Sequence, residues 1–583
     1  MSTKKATSND SDHGTDECGA STQSDRFPRS VPVATVVLAV VVVLSGCTGG
    51  GVLAPKAADA AGEEHSSSGE SPPTFEEVAV QKGFEYETTG PNVGNGKGAV
   101  LVADYDNDGR TDVLTIGGDR PQLFRNTKSG FERTNALPAL TNPVFKGGLF
   151  FDYDNDGWQD LLLLPRGSEA VFLENDGGTF RVRDIGLSVN LTWGTSAAAA
   201  DYNQDGCLDV FITQNGDWRD TVPHRAQGKS LRHDNGNRNY LFRGNCSEFE
   251  RVENAGIGGE KWSLATSFVD FTGDGWPDIH VANDFNYDVI YVNQRDGTFT
   301  RRRVDETNRH GMASEVADVN GDGRPDIFVT NIEYKRPERV WLMQNGLDMK
   351  SRGNNLLINR GNATFRDAAT AYGVRRGGWG WSGNLVDLDN DGDLDLVHTT
   401  QDYNRKTGSP TNSQQTWKPT SKPPALWMRA NDSFERINAT RAGFEPSNGR
   451  GLAVLDYDKD GDRDLVVADA SGKFKLYENR HVSGNWLQVQ VKGTANQTAV
   501  GARVFVTTDA GTQIRYRNSR TNYFSQNSRT LHFGLANHTV RRVRVVWPDG
   551  TEHTFTNVST NQSVVVRHDG SVTGENRTSV DGS

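Results

Sequence analysis

Asp104-Tyr105-Asp106-Asn107-Asp108-Gly109-Arg110-Thr111-Asp112 decides the fold, because its pattern returns in six further copies. These begin at Asp152, Asp201, Asp270, Asp318, Asp387 and Asp456, and each runs into an apolar strand such as LLLL or LVVAD. Every copy has aspartate at positions 1, 5 and 9, an oxygen side chain at 3 that is usually aspartate, and glycine at 6. Such oxygens converge on one hard cation when the chain turns sharply, and glycine permits that turn. The ligands this predicts are Asp104, Asp106, Asp108 and Asp112; Asp152, Asp154, Asp156 and Asp160; and Asp201, Asn203, Asp205 and Asp209. The other four loops supply Asp270, Thr272, Asp274 and Asp278; Asp318, Asn320, Asp322 and Asp326; Asp387, Asp389, Asp391 and Asp395; and Asp456, Asp458, Asp460 and Asp464. Oxygen-only ligation favours Ca²⁺, up to seven ions in a structural role, with the Thr272 loop weakest. A strand follows each loop where an EF-hand would have a helix.

The first aspartates are 48, 49, 69, 48, 69 and 69 residues apart. The short spacing fits four strands and their turns, one blade of a propeller. The chain is therefore expected to be all-β: a seven-bladed β-propeller with Ca-binding loops over residues 72–481, plus a small C-terminal β-sandwich-like domain. The last unit lacks its Phe-containing partner strand, and PTFEEV (73–78) supplies one, closing the ring. Extra residues near 214–239, 332–355 and 400–424 account for the long spacings. They follow second strands, so they should rise on the face opposite the acidic loops.

Residues 1–47 resemble a lipoprotein signal peptide: an apolar run, Val31–Leu44, too short to span a membrane, ends at Leu44-Ser45-Gly46-Cys47. Cys47 is then the lipidated residue, and the rest is exported to the cell envelope or surface and held at the membrane by that anchor. Residues 48–71 are a Gly/Ala/Ser-rich tether. With Cys18 in the removed segment, Cys207 and Cys246 remain as a possible disulfide or as two free thiols. The loop positions hold 25 aspartates, so the formal charge of −12 becomes +13 once they are set aside. The acidity is a set of ion sites on a basic remainder, and export with acidic loops argues against nucleic acid.

Five positions before each first aspartate the residue is small: Ala99, Gly147, Ser196, Ala265, Ala313, Ser382 and Gly451. Crowding at a central axis requires this. Eight positions before, Trp193, Trp262, His310 and Trp379 share one register and are candidates to ring the opposite mouth. Trp218, Arg219, His224, Arg225, Arg232, His233, Arg405, Lys406 and Trp417 of the insertions would join them. Aromatic faces beside cations suit sugars with anionic groups; the alternative is that each tryptophan packs the top of its blade.

Residues 482–569 change pattern to short alternating strands, carry ten Lys and Arg against three Asp and Glu between 484 and 568, and precede a tail at 570–583. That charge can attract an acidic polysaccharide or dock on the acidic loops.

The loops with their flanking strands resemble FG-GAP/VCBS repeats, the blade type of integrin α-subunits. VGARV (500–504), FGL (533–535), VWPDG (546–550) and Asn561-Gln562 resemble the ASPIC/UnbV domain. Together the modules resemble the cartilage acidic protein (ASPIC/UnbV) family of extracellular propellers. The resemblance implies Ca²⁺ on the loop aspartates and extracellular binding or adhesion. It supplies no catalytic residues, and too few cysteines remain for the EGF-like module of some relatives.

The leading expectation is a tethered, calcium-stabilised binding or adhesion module for glycans or a cell-envelope protein. The alternatives are a polysaccharide lyase or hydrolase at the propeller mouth, using His224, His233, His310 or Tyr403, and a scaffold for other exported proteins. No Ser/His/Asp pattern, His-rich metal motif or carboxylate pair outside the loops favours the enzyme.

Overall fold

Each acidic loop joins the first two strands of a four-stranded antiparallel sheet, and seven such sheets follow one another, here called blades 1 to 7. The computed structural model describes residues 72–89, 98–118, 120–140, 144–216, 236–259, 261–307, 310–334, 353–405, 417–481 and 484–574. Among these there is no helix: the protein is all-β. Cys18, Cys47, the insertion residues 217–235 and Lys406 lie outside the described residues, as do the side chains of Tyr403, Arg405 and Trp417.

The first strands of the blades are almost wholly buried, and each carries at least one small residue: Ala99–Ala103, Val144–Phe151, Gly194–Ala200, Trp262–Val269, Glu315–Ala317, Trp379–Val386 and Gly449–Leu455. They lie beside one another in chain order, and the last meets the first. Ser267 and Ser314 join blades 4 and 5 through hydroxyls 2.8 Å apart. Phe75–Glu77 pairs with Lys475–Asn479, so the N-terminal strand supplies the missing fourth strand of blade 7. Leu, Val and Phe side chains interdigitate between neighbouring sheets, as in the Leu149, Phe172, Val210 and Phe249 cluster between blades 2 and 3.

The extra residues of blade 6 extend its second strand, Asp395–Arg405, which returns through Trp417–Ser421. The ribbon grows from the strand end remote from the acidic loop.

The C-terminal domain packs two four-stranded sheets around Val489, Val504, Phe533, Val543 and Trp547. One is Asn485–Lys492, Leu531–Ala536, Gln562–Arg567 and Val572–Gly574; the other is Arg503–Thr507, Thr512–Tyr516, Arg542–Val546 and Glu552–Phe555. Two details differ from the sequence reading. Gln562–Arg567 runs parallel to Asn485–Lys492, a pairing that local alternation does not reveal. The domain also continues past 569, because the turn at Asp569-Gly570 folds Val572–Gly574 back onto Val564–Val566.

Between those sheets the chain leaves the domain. Ser519–Arg529 enters the space enclosed by the first strands. Ser519–Arg520 pairs with Ala198–Ala199 of blade 3, and Ser525–Gln526 pairs with Val100–Leu101 of blade 1. The small residues of the first strands make this possible. A Cβ on Gly451 would lie 2.2 Å from Ser525 Oγ.

Candidate metal centres and the plugged channel

In all seven loops the first aspartate turns one carboxylate oxygen to the N–H of the glycine at position 6, at 2.8 to 3.2 Å. Those glycines have φ between 83° and 100°, where a Cβ is strained. The aspartate at position 9 closes the loop from the other side. In loop 1, Asp112 accepts N–H bonds from Tyr105 and Asn126, and equivalent pairs recur at Asp160, Asp278, Asp326 and Asp464.

The loops then divide. Three carboxylates approach within 4.8 Å of one another in four of them: Asp104, Asp106 and Asp108; Asp152, Asp154 and Asp160; Asp387, Asp389 and Asp395; and Asp456, Asp458 and Asp460. Each of these four holds a buried carboxylate oxygen with no hydrogen-bond partner, on Asp104, Asp152, Asp387 and Asp458. A cation fits such an oxygen. In loops 3, 4 and 5, where Asn203, Thr272 and Asn320 stand at position 3, the second oxygen of Asp201, Asp270 and Asp318 accepts the N–H of position 5. Asp270 also accepts from the Thr272 hydroxyl and the Gly273 N–H, so the fourth loop satisfies itself.

Burial pushes Asp104 and Asp152 up to about 6 and Asp112 and Asp160 up to about 8, with neighbouring carboxylates adding to the shift. A bound cation reverses that effect by favouring the ionised form.

Two sequence signals went unread. At position 4, Asn107, Asn155, Gln204 and Asn390 have positive φ and donate to the glycine carbonyl of the next blade's loop: Gly157, Gly206, Gly275 and Gly461. Gly273 and Gly321 have no side chain to offer there. The asparagine ending several third strands does the reverse: Asn126, Asn175, Asn293, Asn359 and Asn479 donate to the position-2 carbonyl of the preceding blade. Its recurrence in LFRN, FLEN, YVN, LIN and YEN was visible in the sequence.

The C-terminal domain sits on this acidic face. Gln488 donates to Asp456 at 2.6 Å, Gly534 N–H to Asp387 at 3.1 Å and Ala536 N–H to the Asn390 carbonyl at 2.7 Å. Lys492, Arg529 and Arg515 act electrostatically on Asp104, Asp152 and Asp387. Of the two readings of its positive charge, docking is the one the geometry displays. A cleft of about 340 Å³ remains between this domain and the loops at Asp104, Asp152 and Asp456.

At the other mouth, the four candidates expected to present aromatic faces are mostly buried instead. Trp262 is 0% exposed and meets Phe285 edge-on; Trp193 is 5% exposed, with Lys146 and Arg166 over its ring. His310 touches Phe285 and Tyr334, Tyr334 touches Trp379, and Trp379 stacks on Trp381. Bulges in the first strands at Ser263/Ala265 and Gly380/Gly383 break the simple alternation that would place one register on one side. Trp381 ends this chain against Tyr523 of the plug.

His310 Nδ1 lies 2.6 Å from Asp284 Oδ1, a pairing in which the ring N–H donates to the carboxylate. Ser314, His280 and Asp288 also meet, which the sequence did not suggest. Ser314 Oγ is 2.7 Å from His280 Nδ1, but His280 Nε2 is 3.9 Å from Asp288 and all three are fully buried. Burial lowers His280 to about 3, which removes the basicity a general base needs. Cys207 and Cys246 form a disulfide that ties loop 3 to the outer turn of blade 3.

Residues 152–212, 270–329 and 338–398 match the FG-GAP-like repeat, and residues 492–573 match the ASPIC and UnbV family. The chain carries FG-GAP-like repeats followed by an ASPIC/UnbV segment. Among curated relatives it is similar to cartilage acidic protein 1 of Xenopus tropicalis, Mus musculus and Homo sapiens, at 23%, 24% and 23% identity over 287 residues. The match covers 47% of this chain and 39 to 40% of those proteins, so the chain spans about two fifths of their length. Among solved structures it is similar to an Agrocybe aegerita lectin described as recognising non-reducing terminal N-acetylglucosamine (16% identity, TM-score 0.38, 65% of this chain and 93% of that one). It is also similar to BBS1N in complex with ARL6DN (10% identity, TM-score 0.39, 70% of this chain and 98% of that one). The FG-GAP repeats and the ASPIC/UnbV domain suggest an extracellular, integrin-like binding module.

Proposed function

We propose that the protein is a calcium-stabilised binding or adhesion module, tethered to the membrane through Cys47, whose partner is a glycan or a cell-envelope protein. Ca²⁺ fills the four loops with converging carboxylates first. The observation that carries this reading is the position of the ASPIC/UnbV domain: it covers the acidic face and fills the channel with Ser519–Arg529. The opposite face, toward which the blade 6 ribbon grows, is then the one left for a partner. Rigid scaffolds commonly carry their binding surface on such insertions.

The test is a glycan array, including uronic-acid and sulfated glycans, beside a pull-down from isolated envelopes, both in millimolar Ca²⁺. The expected result is saturable binding that is lost when residues 406–416 are replaced by a short Gly/Ser link. Binding that survives this change, or binding by the isolated tether alone, would refute the assignment of the face.

A further inference from the structure

At the channel end away from the acidic loops, Arg450 of blade 7 is one of the largest fully buried side chains, with 0% exposure. Its guanidinium lies over the Trp381 ring of blade 6, 4.1 Å from the centroid. One terminal nitrogen is well used: Nη1 donates to Gln401 Oε1 at 2.7 Å, to Asn448 Oδ1 at 2.9 Å and to the Gly449 carbonyl at 3.2 Å. The other edge is not. Nε and Nη2, the two donors that together grip a carboxylate side-on, have no hydrogen-bond partner.

The surroundings add donors and no acceptor. Gln401 Nε2 and Trp381 Nε1 are also buried and unpartnered. Gln401 touches Arg450 through its other amide atom, and Trp381 lies under the guanidinium, so all four donors belong to one cluster. Among the described residues no carboxylate lies within ion-pair distance of Arg450. The two nearest along the paired strands are engaged elsewhere: Asp402 pairs with Lys422 at 2.7 Å, and Asp469 accepts N–H bonds from Asn448 and Ser471.

A buried guanidinium without a counter-charge is costly, and a buried charge is ordinarily paired. Water can satisfy donors but leaves the charge uncompensated. An oxyanion does both. We propose that Arg450, with Gln401 and Trp381 beside it, holds a small oxyanion with two parallel acceptor oxygens, of which a monocarboxylate is the best fit. The site lies beyond the tip of the plug, since Trp381 separates Arg450 from Tyr523. It does not depend on calcium or on the identity of the partner.

The experiment uses the full chain in Ca²⁺, dialysed into a buffer whose only anion is a bulky sulfonate that leaves Ca²⁺ in solution, and then equilibrated overnight with formate, acetate, sulfate or chloride at matched ionic strength. Binding is read from the line width of ¹³C-formate, and stability from the thermal midpoint. The expected result is saturable 1:1 formate binding, a midpoint that rises with formate and acetate above the chloride series, and at least a tenfold loss of affinity in Arg450→Lys, which keeps the charge but not the fork. Gln401→Leu, at the edge of the cluster, should weaken binding less. A sulfate response larger than the formate response would overturn the carboxylate preference. Equal formate dependence in Arg450→Lys and the unaltered protein, or no saturable binding by any of the anions, would overturn the site. Should Arg450→Lys fail to fold, Gln401→Leu carries the comparison, and an unchanged affinity there overturns it as well.

Discussion

Tyr523, carried by the ASPIC/UnbV domain, packs against Trp381 of blade 6 with ring centroids 5.1 Å apart, deep in the channel. Both rings are almost wholly buried, at 2% and 5% exposure. Around them Asn522 bonds Glu315 at 2.8 Å, the Ser382 hydroxyl bonds the Asn522 carbonyl at 3.1 Å, and Arg520 pairs with Glu315 at 3.0 Å. The segment that the C-terminal domain sends into the channel is therefore part of the repeat array's core.

That sharing has a direct consequence for stability. Tyr523→Ala should cost about 3 to 5 kcal/mol, the usual range for removing a large buried aromatic side chain. Unfolding in urea should also split, because the domain loses its anchor in the channel. A single transition with an unchanged midpoint would show that the plug contributes nothing.

The acidic loops predict an order among variants. Asp152→Asn and Asp387→Asn each remove the first carboxylate of a loop with converging oxygens, whereas Asp270→Asn alters a loop that satisfies its own carboxylate. The rise in melting temperature on adding Ca²⁺ should shrink in the first two and hardly change in the third. Ligand-linked stability follows RT ln(1 + [L]/Kd), so a Ca²⁺ titration of the midpoint reads each loss directly.

The number of sheets, their order and the closing strand were legible in the sequence because each repeat states its own pattern. Loop 1 alone names a turn, an ion site and the strand after it. The plug was not legible. Its residues, SRTNYFSQNSR (519–529), show neither periodicity nor a motif, and they are buried only because the propeller supplies the walls. The same long-range cause hid the fate of Trp262 and His310: a register count gives position along a strand, while bulges and the neighbouring blade decide which side is exposed. Arg450 was equally silent, as one arginine in a GRG step says nothing about its partners.

Acidity should act in opposite directions with and without calcium. In the metal-free protein burial raises Asp104 and Asp152 to about 6, so the folded chain keeps protons that the unfolded chain gives up above about 4. Metal-free stability is then highest below pH 4 and falls as pH rises through 6. With Ca²⁺ bound the carboxylates are held ionised and the shift is downward, so their contribution is fully present above about pH 4 and is lost as pH falls below it. Urea midpoints at pH 3, 4.5 and 6.5, on resin-stripped and on Ca²⁺-loaded protein, check both signs: the metal-free midpoint should fall from 4.5 to 6.5, and the loaded one should stay level there and drop toward pH 3. A common slope would mean that the loops do not hold the ion.

The loop-to-loop bonds make the sites neighbours in energy as well as in space. Asn155 carries the link from loop 2 to loop 3, and its side chain donates to the Gly206 carbonyl at 3.2 Å while its own φ is 59°. Asn155→Ala removes that bond and places a residue less tolerant of positive φ, so it should cost about 1 to 2 kcal/mol. The more specific effect is on binding. With the link intact, a cation that stiffens loop 2 also fixes the carbonyl end of loop 3, so occupancy of one favours the other. Asn155→Ala should therefore flatten the Ca²⁺ isotherm as well as weaken it. A glycine at position 4 breaks the chain at Gly273 and Gly321, so loop 5 should titrate independently in the unaltered protein. Calorimetric titration of Asn155→Ala beside Asp318→Asn separates these effects. A variant that lowers affinity with no change of cooperativity would confine Asn155 to a structural role.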